Sequence, residues 1–233
     1  FDDWIIKRED GSLVSKKRVK DEIEKIKIKD IETNWAIKYE NHWDFEVRKI
    51  EENVLCTPNG SIPAFDKDYL TNFFTALDWR GFNSNQHFEE VYRNLTNGLL
   101  DNIEVTEDDR ILPSLKTAAD EMRHYLLLKF YRQYLNDTGV IYEDAMASLK
   151  YTSFHFLVAD GPTKFITSDS PAFIHKREDE KLAGLLPITP RILMVKGKCI
   201  EDDGLYYVTH ITDEAVKRYN YAIRNAEEFV IHY

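Results

Sequence analysis

Cysteine is almost missing from this chain: of 233 residues only Cys56 and Cys199 carry a thiol. They lie far apart and fit neither a C-x-x-C pair nor a zinc-ligand spacing, so no disulfide framework or metal site is expected. Both read as buried, reduced thiols, which points to a cytoplasmic setting. Long apolar runs are also missing. None approaches the roughly 18 residues needed to span a bilayer, and nothing resembles a signal peptide. Basic charge is in deficit, with 31 Lys and Arg against 41 Asp and Glu and a net charge of −10. That balance disfavours non-specific nucleic-acid or anionic-membrane binding, which depends on a basic surface. The cluster Lys16-Lys17-Arg18 with Lys20, Lys25, Lys27 and Lys29 is interrupted by Asp21, Glu22 and Glu24 and reads as a solvated face. The chain opens at Phe1 rather than methionine, so further residues are expected upstream.

Several chemical signatures are missing too. Gly197-Lys198 lacks the upstream glycine and following hydroxyl of a phosphate loop, and there is no G-x-G-x-x-G, so no nucleotide cofactor has local support. No G-x-S-x-G surrounds Ser168 or Ser170, which argues against a hydrolase nucleophile. The histidines at 42, 87, 124, 155, 175, 210 and 232 form no H-E-x-x-H, and His155 reads as a hydrogen-bonded histidine within a strand.

What is present is periodicity. An Asp10-Gly11 turn between Trp4-Ile5-Ile6 and Leu13-Val14 predicts a β-hairpin. Apolar residues at Ala36, Tyr39, Trp43, Val47, Ile50 and Val54 recur in steps of three and four and predict a helix over 32–55, which Pro58-Asn59-Gly60 should break. Further helices are expected from Asp66 with Tyr69, Leu70, Phe73, Phe74 and Leu77; around Phe88, Val91, Tyr92 and Leu95; and through Leu115, Ala119, Met122, Leu126, Phe130 and Tyr134, ended by Asn136-Asp137-Thr138-Gly139. Strands follow at Tyr151–Val158, Thr163–Thr167, Arg191–Lys196 and Leu205–Ile211, with Ala159-Asp160-Gly161-Pro162 read as a hairpin loop and Gly197-Lys198 as a turn. A last helix capped by Thr212 carries Ala215, Val216, Tyr219, Ala222 and Ile223 before a strand Phe229-Val230-Ile231. Helices first and strands later predict an α+β fold, with a largely helical part over 1–140 packed on a mainly antiparallel sheet over 141–233.

The most informative stretch is Phe165-Ile166-Thr167-Ser168-Asp169-Ser170-Pro171. Two apolar strand residues run into four polar side chains and a proline that cannot continue a central strand. The arrangement suits an Asx or Ser/Thr turn. It also suits a pocket rim in which Asp169 acts as a general base or cation ligand and the hydroxyls donate hydrogen bonds. Arg80 follows Leu77 by three residues and Phe73 by seven, so helical geometry carries it to the edge of the apolar stripe. There it pairs with a carboxylate such as Glu40, Glu46 or Asp169, or binds an anion. Arg191 opens a strand and faces either solvent or a cleft. The tyrosines at 125, 131 and 134 read as core and interface residues.

The Phe165–Pro171 segment, then Leu186-Pro187-Ile188-Thr189-Pro190-Arg191, then Asn220 and Ala226 in a final helix, together with Leu70 to Arg80, resemble the bacterial family known as domain of unknown function 4238. The resemblance implies a fold and site candidates but no activity. It also implies a short His-Tyr-x-Pro-like motif, absent from these residues and expected ahead of Phe1. The candidate ligand-binding residues are therefore Arg80, Thr167, Ser168, Asp169, Ser170 and Arg191, with Asp169 the catalytic candidate. Two functions are carried forward. One is a cytoplasmic binding or interaction module, linked to bacterial defence or stress. The other is a hydrolase or nuclease-like enzyme that acts on an anionic substrate through the Thr167–Ser170 turn.

Overall fold

The computed structural model describes residues 5–7, 13–15, 28–80, 103–105, 107, 110, 112–168, 170–176, 182–200, 202–226 and 230–231. Outside them lie the Asp10-Gly11 turn, most of the basic cluster at 16–29, the helix expected around Phe88 to Leu95, Phe229 and Asp169. In chain order the elements are β1 (Ile5–Lys7), β2 (Leu13–Ser15), α1 (Ile28–Trp35), α2 (Asn41–Val54), β3 (Gly60–Pro63), α3 (Lys67–Arg80), α4 (Ala118–Leu135) and α5 (Val140–Ser148). Then come β4 (Thr152–Ala159), β5 (Thr167–Ser168), β6 (Phe173–Lys176), β7 (Leu182–Thr189), β8 (Ile192–Lys198), β9 (Leu205–Ile211), α6 (Asp213–Ala226) and β10 (Val230–Ile231). The chain forms two compact units, residues 1–38 with 86–141, and residues 39–85 with 142–233.

In the first unit β1 and β2 pair antiparallel, as the Asp-Gly signal predicts. α1 packs on α4, with Trp35, Leu128, Tyr134 and Leu135 buried. Thr117 starts α4 with a capping box: its hydroxyl accepts the Asp120 N–H at 3.1 Å, and the Asp120 carboxylate accepts the Thr117 N–H at 3.0 Å. At the other end Asp137 (φ 58°) and Gly139 (φ 88°) turn left-handed and stop the helix. The Lys38 ammonium donates to the Leu135 carbonyl at 3.3 Å and pairs with Asp137, so it occupies acceptors that a helix end leaves unsatisfied. A π-helical turn, Ala36–Glu40, links α1 to α2, and the predicted long helix thus carries one wide turn.

The second unit is built on a six-stranded sheet of order β3-β9-β4-β8-β7-β6. Every neighbouring pair is antiparallel except β4 and β9, so the sheet is mixed and the fold is α+β. One face presents Leu157, Leu193, Val195, Ala183, Leu185 and Phe173, which share a core with Phe165, Ile166 and the α6 residues Val216 and Ile223. The other face presents Phe154, Phe156, Met194, Tyr206 and Val208, all buried. α3 lies on this second face, where the Phe74 ring sits so close to Gly184 that a Cβ there would overlap it. Helices therefore cover both faces of the sheet.

Several expectations are corrected. Ala159-Asp160-Gly161-Pro162 is not a hairpin loop, because β4 pairs with β8 and β9 instead of the following segment. Within 163–167 only Thr167 belongs to a strand. The N–H groups of Thr163, Phe165 and Ile166 are taken by the Asp213 carboxylate (3.0 Å), the Pro190 carbonyl (2.9 Å) and the Asn220 side-chain oxygen (3.1 Å). These three donors are therefore not available to a strand ladder. Gly197-Lys198 lies within β8 rather than in a turn, and Gly60 opens strand β3 on β9. Cys56 is exposed and Cys199 half-buried, and both are free thiols. The expectation of buried thiols is thus overturned.

Candidate functional site

Thr167 and Ser168 form β5, which pairs with β10 through Ser168↔Val230 and Thr167↔Ile231. Ser168 is buried, and its hydroxyl has no hydrogen-bond partner among the described residues. Thr167 and Ser170 are half-buried. Just ahead, Asn220 of α6 accepts the Ile166 N–H at 3.1 Å and donates to the Lys164 carbonyl at 2.7 Å, which fixes the strand entry to the helix.

Arg191 belongs to the same end of the sheet. Its carbonyl accepts the Ala159 N–H at 2.9 Å, beside the Pro190 carbonyl that accepts from Phe165. Its side chain is exposed. Arg80 is elsewhere: it is the exposed last residue of α3, on the face of the sheet opposite the core that holds Phe165 and Ile166. The Pro190–Arg191 turn thus meets Phe165, two residues ahead of β5, while Arg80 closes α3, a helix that contacts β6.

Three polar clusters escaped the sequence reading. At the C-terminal ends of the parallel strands β4 and β9, His210 Nδ1 meets the Asp160 carboxylate at 2.5 Å and Nε2 meets the Thr57 carbonyl at 2.8 Å. The His210 backbone N–H donates to the Asn59 side chain at 2.6 Å. Both ring nitrogens face acceptors, which favours the protonated imidazole. The Asp160 hydrogen bond, then the Thr57 carbonyl, raises its pKa against burial and the charge of Arg191. A histidine with both nitrogens engaged ties chain segments together and offers no free base.

The second cluster joins α2 to the start of α3. Glu46 is buried, and its pKa is raised first by burial and then by Asp66. Asp66 adopts a left-handed φ of 44° and pairs with Lys49, whose ammonium lies 5.1 Å from the centre of the Phe65 ring. Tyr69 donates to the Tyr39 carbonyl at 2.9 Å, and burial raises its pKa. Third, Asp78 of α3 faces Lys196 of β8. Burial pushes the acid up to about 6 and the lysine down, each opposed by the other's charge. The Lys196 ammonium lies 5.0 Å from the Phe74 ring centre. His155 meets the expectation for a sheet histidine, with Nε2 2.7 Å from the Thr209 hydroxyl.

The outer side of α6 is different in kind. Lys217, Arg218 and Arg224 are exposed, and no ion pair or hydrogen bond engages their side chains among the described residues. Tyr221, between them, is 69% exposed. Positions 217, 221 and 224 follow i, i+4, i+7 spacing and share one helix face. The signal was in the sequence, because a basic stripe opposes the acidic balance of the whole chain. The apolar side of the same helix drew the attention instead.

Among the described residues no group of three or more His, Cys, Asp or Glu side chains could hold a metal ion. No helix among them is long and apolar enough to cross a membrane. The fold and these clusters define an α+β protein with a mixed six-stranded sheet covered by helices on both faces. Residues 7–233 match the family described as Protein of unknown function (DUF4238), and the chain belongs to that family. No curated protein and no solved structure matches it.

Proposed function

We propose that this protein is a cytoplasmic bacterial binding module that presents the outer side of α6 to an anionic partner. The observation that carries this reading is the row Lys217, Tyr221 and Arg224, flanked by Arg218, whose cations are exposed and have no ion pair among the described residues although acids outnumber bases in the chain. Buried or bridged charges serve the fold, whereas exposed unpaired cations around an exposed ring supply the residue types enriched where proteins meet partners. The free thiols Cys56 and Cys199 are in keeping with a reducing compartment. A role in bacterial defence or stress belongs to the same proposal.

The test is a panel of labelled anionic probes at low salt, acidic peptide and oligothymidine together, against the protein and a K217E/R224E variant. Binding that the reversal abolishes supports the module. No binding by any probe contradicts it.

A second reading rests on the Ser168 hydroxyl, which is buried without a partner among the described residues. It makes the protein a hydrolase or nuclease-like enzyme acting on an anionic substrate through Thr167–Ser170, with Arg191 at the same end of the sheet. Asp169→Ala and Ser168→Ala would then abolish turnover of phosphodiester or ester substrates while the fold survives, and an inactive wild-type protein would exclude it.

A further inference from the structure

We infer that the occupant of the α6 face is an acidic segment of a protein partner, not a nucleic acid. The inference rests on the binding-module reading above and commits it to one chemistry.

Nucleic-acid affinity comes from neutralising many phosphates at once, which three cations on a chain of net charge −10 do not supply. The α6 face offers three cations, Lys217, Arg218 and Arg224, on a helix whose first turn is acidic through Asp213 and Glu214. Salt screens interactions beyond about 10 Å at moderate ionic strength, so a few cations act locally on a partner already in contact. A short acidic segment matches that local field, while a long phosphate backbone would also meet the acidic remainder of the surface.

Shape narrows the occupant further. From Lys217 to Arg224 the helix advances seven residues, about 10 Å at 1.5 Å per residue. That length suits two or three side chains of one peptide segment. Glu214 stands on the same side one turn before Lys217, so it repels acid at that end and confines the partner's carboxylates to the 217–224 stretch.

Composition supplies the rest. Arg218 and Arg224 present planar forks that take a carboxylate through two parallel hydrogen bonds. Tyr221 adds a flat, amphipathic ring at the centre of the row, able to cover an apolar side chain of the partner while its hydroxyl stays wet. Arginine and tyrosine at the centre of a patch are the residues on which protein interfaces concentrate their affinity.

The experiment uses the whole chain and measures fluorescence anisotropy with two labelled probes of matched charge: a glutamate-rich peptide carrying one leucine, and oligothymidine. Variants are K217E/R224E, Y221A, and K150E as an exposed control outside α6, each checked for an unchanged circular-dichroism spectrum. The peptide should bind, weaken about tenfold or more in K217E/R224E and by a smaller factor in Y221A, and lose affinity as salt rises. K150E should bind as the wild type does. Oligothymidine binding tighter than the peptide, with the same loss in K217E/R224E, overturns the acidic-segment inference and leaves the binding module standing. Peptide binding that K217E/R224E does not weaken, or binding by neither probe, overturns both. Self-association in sedimentation that K217E/R224E abolishes would make the occupant a second copy and likewise overturn the inference.

Discussion

The two sides of α6 use their side chains in opposite ways. On the inner side Val216 and Ile223 are fully buried in the sheet core, and Asn220 meets both a donor and an acceptor of the 164–166 segment. On the outer side Lys217, Arg218 and Arg224 stand exposed around Tyr221. One helix thus separates what holds the fold from what is available to a partner. The contrast teaches that hydrogen-bond satisfaction, more than residue type, distinguishes the two roles: an asparagine or histidine with every polar atom engaged is structural, and an exposed cation without a partner is not.

The comparison can be broken from the inside first. Ile223→Ala removes a side chain that is 1% exposed and should cost about 2 to 5 kcal/mol in chemical denaturation, with little effect on binding once the protein is folded. Asn220→Leu leaves the Ile166 N–H and the Lys164 carbonyl unpaired and should cost about 2 kcal/mol or more by the same assay. A loss near zero in Asn220→Leu would mean that water replaces the side chain and that the tie is not structural.

His210 extends the comparison to the corner from which α6 springs. Its pKa is raised in the folded state, so the folded chain holds the proton more tightly than the unfolded one, whose value is about 6.5. The stabilisation is therefore complete below that value and fades as pH rises through the raised folded pKa. The groups facing the ring are Asp160, the Thr57 carbonyl and, with opposite effect, Arg191. Denaturation midpoints should fall as pH rises from slightly acid to mildly alkaline, and His210→Gln should flatten that slope and cost about 1 kcal/mol at the acid end. Asp160→Asn should flatten it as well. The smallest effect belongs to the outer side: K217E/R224E should change stability by no more than about 0.5 kcal/mol, as measured in the same titrations.

Much of this architecture was legible because local patterns and tertiary packing agree. The steps of three and four through Ile50 and Val54 and the Asp137–Gly139 stop describe what the backbone does. The departures arise where long-range partners override local composition. Pro58-Asn59-Gly60 reads as a helix breaker and the helix does end before it, yet Gly60 to Pro63 also pairs with β9 from Gly60↔Val208 to Pro63↔Leu205, an edge position where proline is tolerated. The 163–166 stretch reads as a strand, but its N–H groups are taken from β7–β8 and α6. β7 was missed because Gly184 and Pro187 interrupt its pattern, and the Phe74 ring explains the glycine.

The candidate site shows the same limit. Thr167 to Ser170 was conspicuous because its residues are adjacent. Asp160 and His210 are fifty residues apart and meet only because β4 and β9 run parallel. Glu46 and Asp66 likewise meet across two helices, and no periodicity announces a pair of that kind. The basic row on α6 could have been read from a helical wheel, because Lys217, Tyr221 and Arg224 fall within one 60° sector, turned away from Val216 and Ile223.

Amide chemical-shift mapping of the whole chain during titration with the glutamate-rich peptide tests the division of α6 most directly. The account predicts shifts concentrated at Lys217, Arg218, Tyr221 and Arg224, with the Asn220 side-chain amide and the 164–166 backbone unmoved. Shifts centred on Thr167 to Ser170, with the α6 face silent, would contradict it and return the function to the end of the strand.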